Sequence, residues 1–175
     1  MPFRLKTHVF GVSKRAVAAA MLVSSWAVIA PDVVAAGLFS GLAGSWRGDG
    51  SIGWTTGETE RIRCTATYEV EREGNKLIQN LNCATDTTKL TVKSDISYNP
   101  SAGAITGTWT ETNYGINGNV SGRASAGTIN AIVQSTDKRF TARVTVVTRG
   151  SDQTVTIAPE GIDVTQVSVK LRRTG

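Results

Sequence analysis

At 175 residues, the chain is long enough for one domain, or for one domain and a processed segment. Its formal charge of +5 does not indicate nucleic-acid binding, because residues 1–36 resemble a removable signal and hold four of the 19 Lys and Arg residues and one of the 14 acidic residues. Without this segment the charge is +2. The remaining arginine pairs, Arg61 with Arg63 and Arg172 with Arg173, are not interleaved with aromatic side chains, so nucleic acid is not an expected partner.

The first 36 residues have the order of a secretory signal peptide. Basic residues come first, an apolar run over 16–30 follows, and small residues at 34–36 provide a cleavage site. A membrane anchor is the alternative, but the run is short for a span and a polar pair at 24–25 interrupts it. We therefore predict a cleavable signal helix over 1–36, a mature N-terminus at Gly37, and a periplasmic or secreted protein with no membrane span after processing.

The stretch 42–54 is predicted to form the first strand. Its residues Trp46, Gly48, Gly50, Ile52 and Trp54 recur at every second position, which places two indoles and an isoleucine on one face. The glycines also match the Gly-x-Gly-x-x-Gly fingerprint of dinucleotide-binding proteins. That fingerprint requires a strand before it and a helix after it, whereas a strand pattern follows here, so no nucleotide cofactor is expected.

A disulfide-linked hairpin is predicted next. Residues 61–71 alternate strictly between apolar and polar side chains, and a turn at 73–75 leads into a returning strand with Leu77, Leu81 and Cys83 at period two. Folding the two strands about this turn places Cys64 opposite Cys83. Because export exposes cysteines to an oxidising compartment, and because this spacing resembles no cysteine metal motif, we predict a structural disulfide and no metal site.

The rest of the chain continues the same strand-and-turn pattern. Further strands are predicted near 90–98, 105–111, 116–124, 129–133, 140–146, 155–157 and 162–171. The pattern slips in phase near Gln166, which predicts a bulge. Without a long crossover, residues 37–175 are predicted to form an all-β domain, a single antiparallel up-and-down barrel of about 8–10 strands. A two-sheet sandwich is the alternative, but glycines such as Gly107, Gly118 and Gly122 suit the sharp bends of a closed barrel.

The Gly-Ser-Trp sequence at 44–46, at the start of an antiparallel meander, resembles the Gly-x-Trp signature of the calycin superfamily, which includes lipocalins, avidins and fatty-acid-binding proteins. In lipocalins and their relatives, the tryptophan closes one end of the barrel and an arginine from near the last strand packs across it. The resemblance implies structural roles for Gly44 and Trp46 and for an arginine, Arg173 in preference to Arg172. The segment 107–111 is loosely similar to the Gly-Thr-Trp strands of avidin-type barrels.

Catalysis is not expected. The only histidine, His8, lies in the signal segment, so residues 37–175 lack the imidazole of a Ser-His-Asp triad, a Cys-His pair or a histidine metal site. Glu111 shares a face with Trp109, which leaves carboxylate chemistry formally open. A solvated carboxylate near the mouth of a barrel is the simpler explanation for Glu111, and no cofactor is expected.

Two kinds of function remain. The first is a binding module for a small, largely apolar ligand in the mouth or lumen of the barrel, and aromatics that only fill a closed core are the alternative explanation. Its predicted ligand-binding residues are Trp54, Tyr68, Trp109, Glu111 and Phe140. The second is a protein–protein module, an inhibitor of an exported enzyme or an envelope assembly factor, which would insert a mobile apolar arm at 37–41 into its partner.

Overall fold

Ten strands joined in sequence order make up the described part of the computed structural model, which covers residues 36–175. They are β1 (Gly44–Trp54), β2 (Thr59–Glu71), β3 (Lys76–Ala84), β4 (Lys89–Asn99), β5 (Ala104–Glu111), β6 (Ile116–Ser125), β7 (Thr128–Ser135), β8 (Thr141–Arg149), β9 (Asp152–Glu160) and β10 (Val164–Arg173). Each strand pairs antiparallel with the next, and β1 also pairs with β10, so the barrel is closed. This confirms the predicted fold class; the signal segment lies outside the described residues except for its last one.

The alternation of side chains explains why these segments form strands around one core. In β2, Ile62, Cys64, Ala66 and Tyr68 are buried while the residues between them are exposed. The inward residues of all ten strands meet in the interior and form one apolar cluster. Closure leaves none of these ten strands with unpaired backbone groups along an edge.

Inward-facing glycines allow neighbouring strands to approach closely. A Cβ atom added to Gly48 or Gly50 would collide with a backbone carbonyl of β10. The same holds for Gly107 against β4, and for Gly118 and Gly122 against β7. These positions therefore require glycine because of the close backbone approach, as expected where strands bend sharply in a small barrel.

The disulfide lies between β2 and β3. Cys64 and Cys83 are directly opposite in the register of these strands, their sulfurs are bonded, and both residues are buried. This confirms the predicted pairing. Because the bridge joins residues 19 apart in sequence, it is expected to stabilise the fold by about 3 kcal/mol.

Residues 37–43 close one end of the barrel, and we call them the plug. The Phe39 side chain is fully buried and meets Tyr98 edge-to-face, with ring centroids 6.3 Å apart. The backbone N–H groups of Gly37 and Phe39 donate to the carbonyls of Glu73 and Gly74 at 3.0 and 2.8 Å. The expectation of a mobile arm at 37–41 is therefore wrong, because this segment is packed and hydrogen-bonded against the β2–β3 turn.

Trp46 lies directly beneath the plug. Its ring is 1% exposed, its Nε1 donates to the carbonyl of Leu42 at 2.9 Å, and it meets Tyr68 edge-to-face at 6.2 Å. Arg173, its partner in the β1–β10 register, places its guanidinium 4.7 Å from the ring centroid, within the range of a cation–π contact. The same guanidinium donates to the carbonyls of Gly41 and Ala43, so it joins the last strand to both the first strand and the plug.

Gly44 has a positive φ of 114°, which favours glycine. A Cβ atom there would also collide with the carbonyl of Gly175. That carbonyl accepts a hydrogen bond from the N–H of Ser45 at 3.1 Å. Gly44 thus allows the C-terminus to pair with the beginning of β1.

Candidate functional site

The end of the barrel opposite the plug is bounded by five turns, and we call it the open end. The turns cover 55–58, 85–88, 112–115, 136–140 and 161–163. Several apolar side chains of its inner wall are only partly buried, including Ile52, Leu90, Val92, Val133 and Phe140. At the plug end, by contrast, Phe39 and Trp46 are at most 1% exposed. Inward-facing apolar surface is therefore left partly uncovered at the open end, as it also is around Tyr98 and Ile129 at the plug end.

Trp109 and Phe140 form an aromatic pair at the open end. Their ring centroids lie 5.9 Å apart in an edge-to-face arrangement. Trp109 is 9% exposed, and its Nε1 is the one buried side-chain nitrogen or oxygen among residues 36–175 with no hydrogen-bond partner. Gly118 makes room for the indole, because a Cβ atom there would lie 2.8 Å from Nε1. An unpaired buried donor costs about 1–3 kcal/mol, so an acceptor placed beside this N–H would recover part of that cost.

Glu111 lies two residues beyond Trp109 on β5 and is 3% exposed. Its carboxylate accepts backbone N–H bonds from Thr91 at 2.9 Å, Asn113 at 3.1 Å and Tyr114 at 2.6 Å. Burial opposes its ionisation, but these three hydrogen bonds outweigh that effect, and the pKa of Glu111 lies below its ordinary value. The carboxylate therefore anchors the β5–β6 turn to the start of β4.

The turn before Phe140 is fixed by a second polar cluster. Ser135 Oγ donates to Asp137 at 2.6 Å and accepts from the backbone N–H of Phe140 at 3.0 Å, and Arg139 Nε donates to Asp137 at 2.7 Å. These bonds lower the pKa of Asp137 to about 2, with the hydrogen bond from Ser135 as the largest cause. Sequence reasoning missed this cluster; the signal for it is the Ser-x-Asp-x-Arg spacing, in which a short side chain can bond the backbone two residues ahead.

The two remaining predicted ligand-binding residues lie apart. Trp54 is at the open end, half-buried, where the register between β1 and β10 shifts. Tyr68 is at the plug end, where its hydroxyl donates to Gln153 Oε1 at 2.8 Å and Gln153 Nε2 donates to Thr148 at 3.1 Å. Burial raises the pKa of Tyr68 far above its usual range, although the bond with Gln153 acts in the opposite direction. Trp54, Trp109, Glu111 and Phe140 thus share one end, and Tyr68 does not.

Two cavities lie elsewhere on the described residues. One, of about 490 Å³, is on the outer face of β1–β4, and the other, of about 270 Å³, lies between the plug and the β6–β7 turn. Neither is lined by a predicted ligand-binding residue. The open end is a partly exposed apolar wall with one unpaired N–H donor, an arrangement that suits binding.

None of the helical segments within residues 36–175 is both long and apolar enough to cross a membrane. In the same residues, no group of three or more His, Cys, Asp or Glu side chains converges in a way that could hold a metal ion. No protein-family model matches the chain, and no curated protein is significantly similar to it in sequence. The ten-strand antiparallel barrel is consistent with the calycin resemblance at the level of architecture.

Proposed function

We propose that this protein is an exported barrel that binds a small, largely apolar ligand at its open end. The observation that carries the proposal is the buried Trp109 Nε1 without a partner, beside the half-buried ring of Phe140. A ligand with an apolar body and one acceptor oxygen would cover the ring and pair with the N–H. Pockets of this kind combine an apolar lining with very few polar groups.

Export is the second part of the proposal. The signal-like order of residues 1–36 and the Cys64–Cys83 disulfide both suit a periplasmic or secreted protein. The proposed module binds without catalysis, since residues 37–175 contain no histidine and the carboxylate of Glu111 is occupied by three backbone amides. The protein–protein alternative is not favoured, because its insertion arm is the plug.

Native mass spectrometry of protein purified from its own envelope, before and after organic extraction, tests both parts. We expect an extra mass that extraction removes. The mass left afterwards should equal residues 37–175 minus two hydrogens, as cleavage and one disulfide require. A bare mass in every preparation, together with no binding of the neutral apolar dye Nile red, would contradict the ligand proposal.

A matched pair of variants locates the ligand. Trp109→Phe keeps an aromatic ring but removes the N–H, and we expect it to weaken binding of the recovered ligand or of Nile red about tenfold, as for loss of one hydrogen bond in a dry site. Tyr114→Ala, an aromatic at the same end that is 62% exposed, should leave binding unchanged. Equal affinity in wild type and Trp109→Phe would place the ligand elsewhere.

A further inference from the structure

The larger of the two cavities lies on the outside of the barrel, across β1, β2, β3 and the start of β4. Its volume of about 490 Å³ is within the range of small-molecule sites. Three cationic side chains line it, Arg47, Arg63 and Lys89, together with one acidic side chain, Asp49. We call this cavity the basic groove.

The three cations of the basic groove have no carboxylate partner within 4.0 Å among residues 36–175. Asp49 is directly opposite Arg63 in the strand register, but its carboxylate is paired with Arg61 at 3.4 Å. On other strands, Arg143 and Arg172 lie 3.0 and 3.1 Å from carboxylates, which shows that this barrel does pair outward arginines. Three unpaired cations in one groove are a marked concentration for residues 37–175, whose net charge is only +2.

The strand register fixes the spacing of these cations. Arg63 pairs with Ala84, and Ala84 pairs with Lys89, so Arg63 and Lys89 lie in one cross-strand row at two strand spacings, about 10 Å. Arg47 is diagonal to Arg63, because Thr65 is its direct partner on β2. The two guanidiniums are therefore on one side of the groove and the ammonium is on the other.

The neutral polar side chains of the groove also present donors. Thr91 Oγ1 donates to Asn82 Oδ1 at 3.1 Å, which leaves the Asn82 amide nitrogen to donate outward. The hydroxyl of Thr65 lines the same cavity. A groove lined by guanidinium, ammonium and amide groups suits an oxyanion, and guanidinium groups bind phosphoryl oxygens in a bidentate fork.

We propose that the basic groove binds a phosphate ester of an organic molecule. The phosphoryl oxygens accept from Arg47, Arg63 and Lys89, and the organic body fills the rest of the cavity, which is far larger than one phosphate ion requires. A phospholipid headgroup and a soluble phosphomonoester share this chemistry. The site is separate from the ligand proposed for the open end, since none of Trp54, Trp109, Glu111 and Phe140 lines the groove.

Titration of the isotopically labelled protein in phosphate-free buffer, followed by amide chemical shifts, tests the proposal. The probes are glycerol 1-phosphate, inorganic phosphate, and phosphatidylcholine vesicles with and without phosphatidic acid. We expect saturable shifts at the basic groove. Binding of glycerol 1-phosphate identifies a soluble source, binding only of vesicles that contain phosphatidic acid identifies a lipid source, and either result supports the proposal.

Two double variants, each of which removes two positive charges, show whether the phosphate ester binds at the groove or is attracted by the net charge of the protein. Arg63→Gln with Lys89→Gln should weaken binding by at least about tenfold, as expected for lost charge-assisted hydrogen bonds. Arg123→Gln with Arg149→Gln, exposed residues of β6 and β8 outside the groove and the open end, should change affinity by less than about twofold. Nile red binding should be the same in both, which keeps this test separate from that of the open end.

Three results would overturn the proposal. The first is no saturable binding of glycerol 1-phosphate or of vesicles that contain phosphatidic acid. The second is an equal loss of affinity in the two double variants, which means attraction to net charge alone. The third is inorganic phosphate binding as tightly as glycerol 1-phosphate, which means that the organic body contributes nothing.

Discussion

The two ends of the barrel contain the same aromatic motif and complete it differently. Trp46 meets Tyr68 at 6.2 Å and 66° near the plug, and Trp109 meets Phe140 at 5.9 Å and 70° near the open end. At the plug end, the carbonyl of Leu42 accepts the indole N–H. At the open end, the indole N–H has no acceptor among the described residues. The chain therefore supplies an acceptor for the indole N–H at the plug end, and none of the described residues supplies one at the open end.

Each end of the barrel has one charged side chain that hydrogen-bonds to backbone groups, a cation at the plug end and a carboxylate at the open end. At the plug end, the guanidinium of Arg173 donates to two backbone carbonyls. At the open end, the carboxylate of Glu111 accepts from three backbone amides. Each charged group bonds backbone groups of the plug, of the β5–β6 turn or of the start of β4, so these charges hold irregular segments against the strands.

The largest effect is expected from a substitution that would break the open-end aromatic pair. In Gly118→Ala, the new Cβ atom would collide with the carbonyl of Gln134 and lie 2.8 Å from Trp109 Nε1. We expect a loss of about 3 kcal/mol in the free energy of unfolding, the upper end for overpacking, measured by urea denaturation. Gly115→Ala in the adjacent turn, with open space around it and φ of 66°, should cost about 1 kcal/mol. Equal costs would show that the indole does not depend on Gly118.

The next prediction compares how much the fold is destabilised when each of the two indoles is replaced by a phenyl ring. Trp46→Phe removes the hydrogen bond to Leu42 and weakens the contact with Arg173, so we expect it to destabilise the fold by about 2–3 kcal/mol. Trp109→Phe removes an N–H that has no partner, so its cost should be below about 1 kcal/mol in the ligand-free protein. Thermal unfolding of the extracted protein measures both. If Trp109→Phe were as costly as Trp46→Phe, the Trp109 N–H would have a partner in solution.

Sequence patterns predicted the architecture because a period of two decides which side chains face inward and the turns decide the register. The β2–β3 turn places Cys64 opposite Cys83, and the phase slip near Gln166 coincides with a register shift between β1 and β10. The same period does not tell at which position along the barrel axis a side chain lies. Tyr68 and Trp109 both face inward, yet they lie at opposite ends. The predicted ligand-binding residues were chosen because their side chains face inward, and they therefore included residues from both ends of the barrel.

The plug escaped prediction for a different physical reason. Residues 37–43 precede the first strand and have no alternating pattern, so their burial depends on partners that are distant in sequence. The backbone N–H of Phe39 donates to a carbonyl of the β2–β3 turn, and its ring packs edge-to-face against Tyr98. Glu111 is similar, since its role depends on amide groups that the folded turns bring to it. The local pattern of apolar and polar residues does not reveal contacts between residues that are distant in sequence.

A smaller effect is expected from adjacent arginines at the plug end. Arg173→Met removes the cation–π contact and two hydrogen bonds to the plug, and should cost about 1–2 kcal/mol in the free energy of unfolding. Arg172→Met removes only an exposed ion pair with Asp152 and should cost below about 1 kcal/mol. Hydrogen exchange at Phe39 provides an independent readout, because only the Arg173 variant should loosen the plug. Unchanged exchange there would separate Arg173 from plug closure.

The smallest effect concerns pH and the open end. Because hydrogen bonds hold the folded-state pKa of Glu111 below its ordinary value of 4.5, its carboxylate stabilises the fold above that pH, and this stabilisation is lost as the pH falls through the folded-state pKa. Glu111→Gln should therefore be less stable than wild type near neutral pH, and the difference should shrink on acidification from about pH 7 to about pH 3. Urea denaturation at several pH values measures this difference. A difference that stays constant over this range would mean that the amides of the β5–β6 turn do not depend on the charge of Glu111.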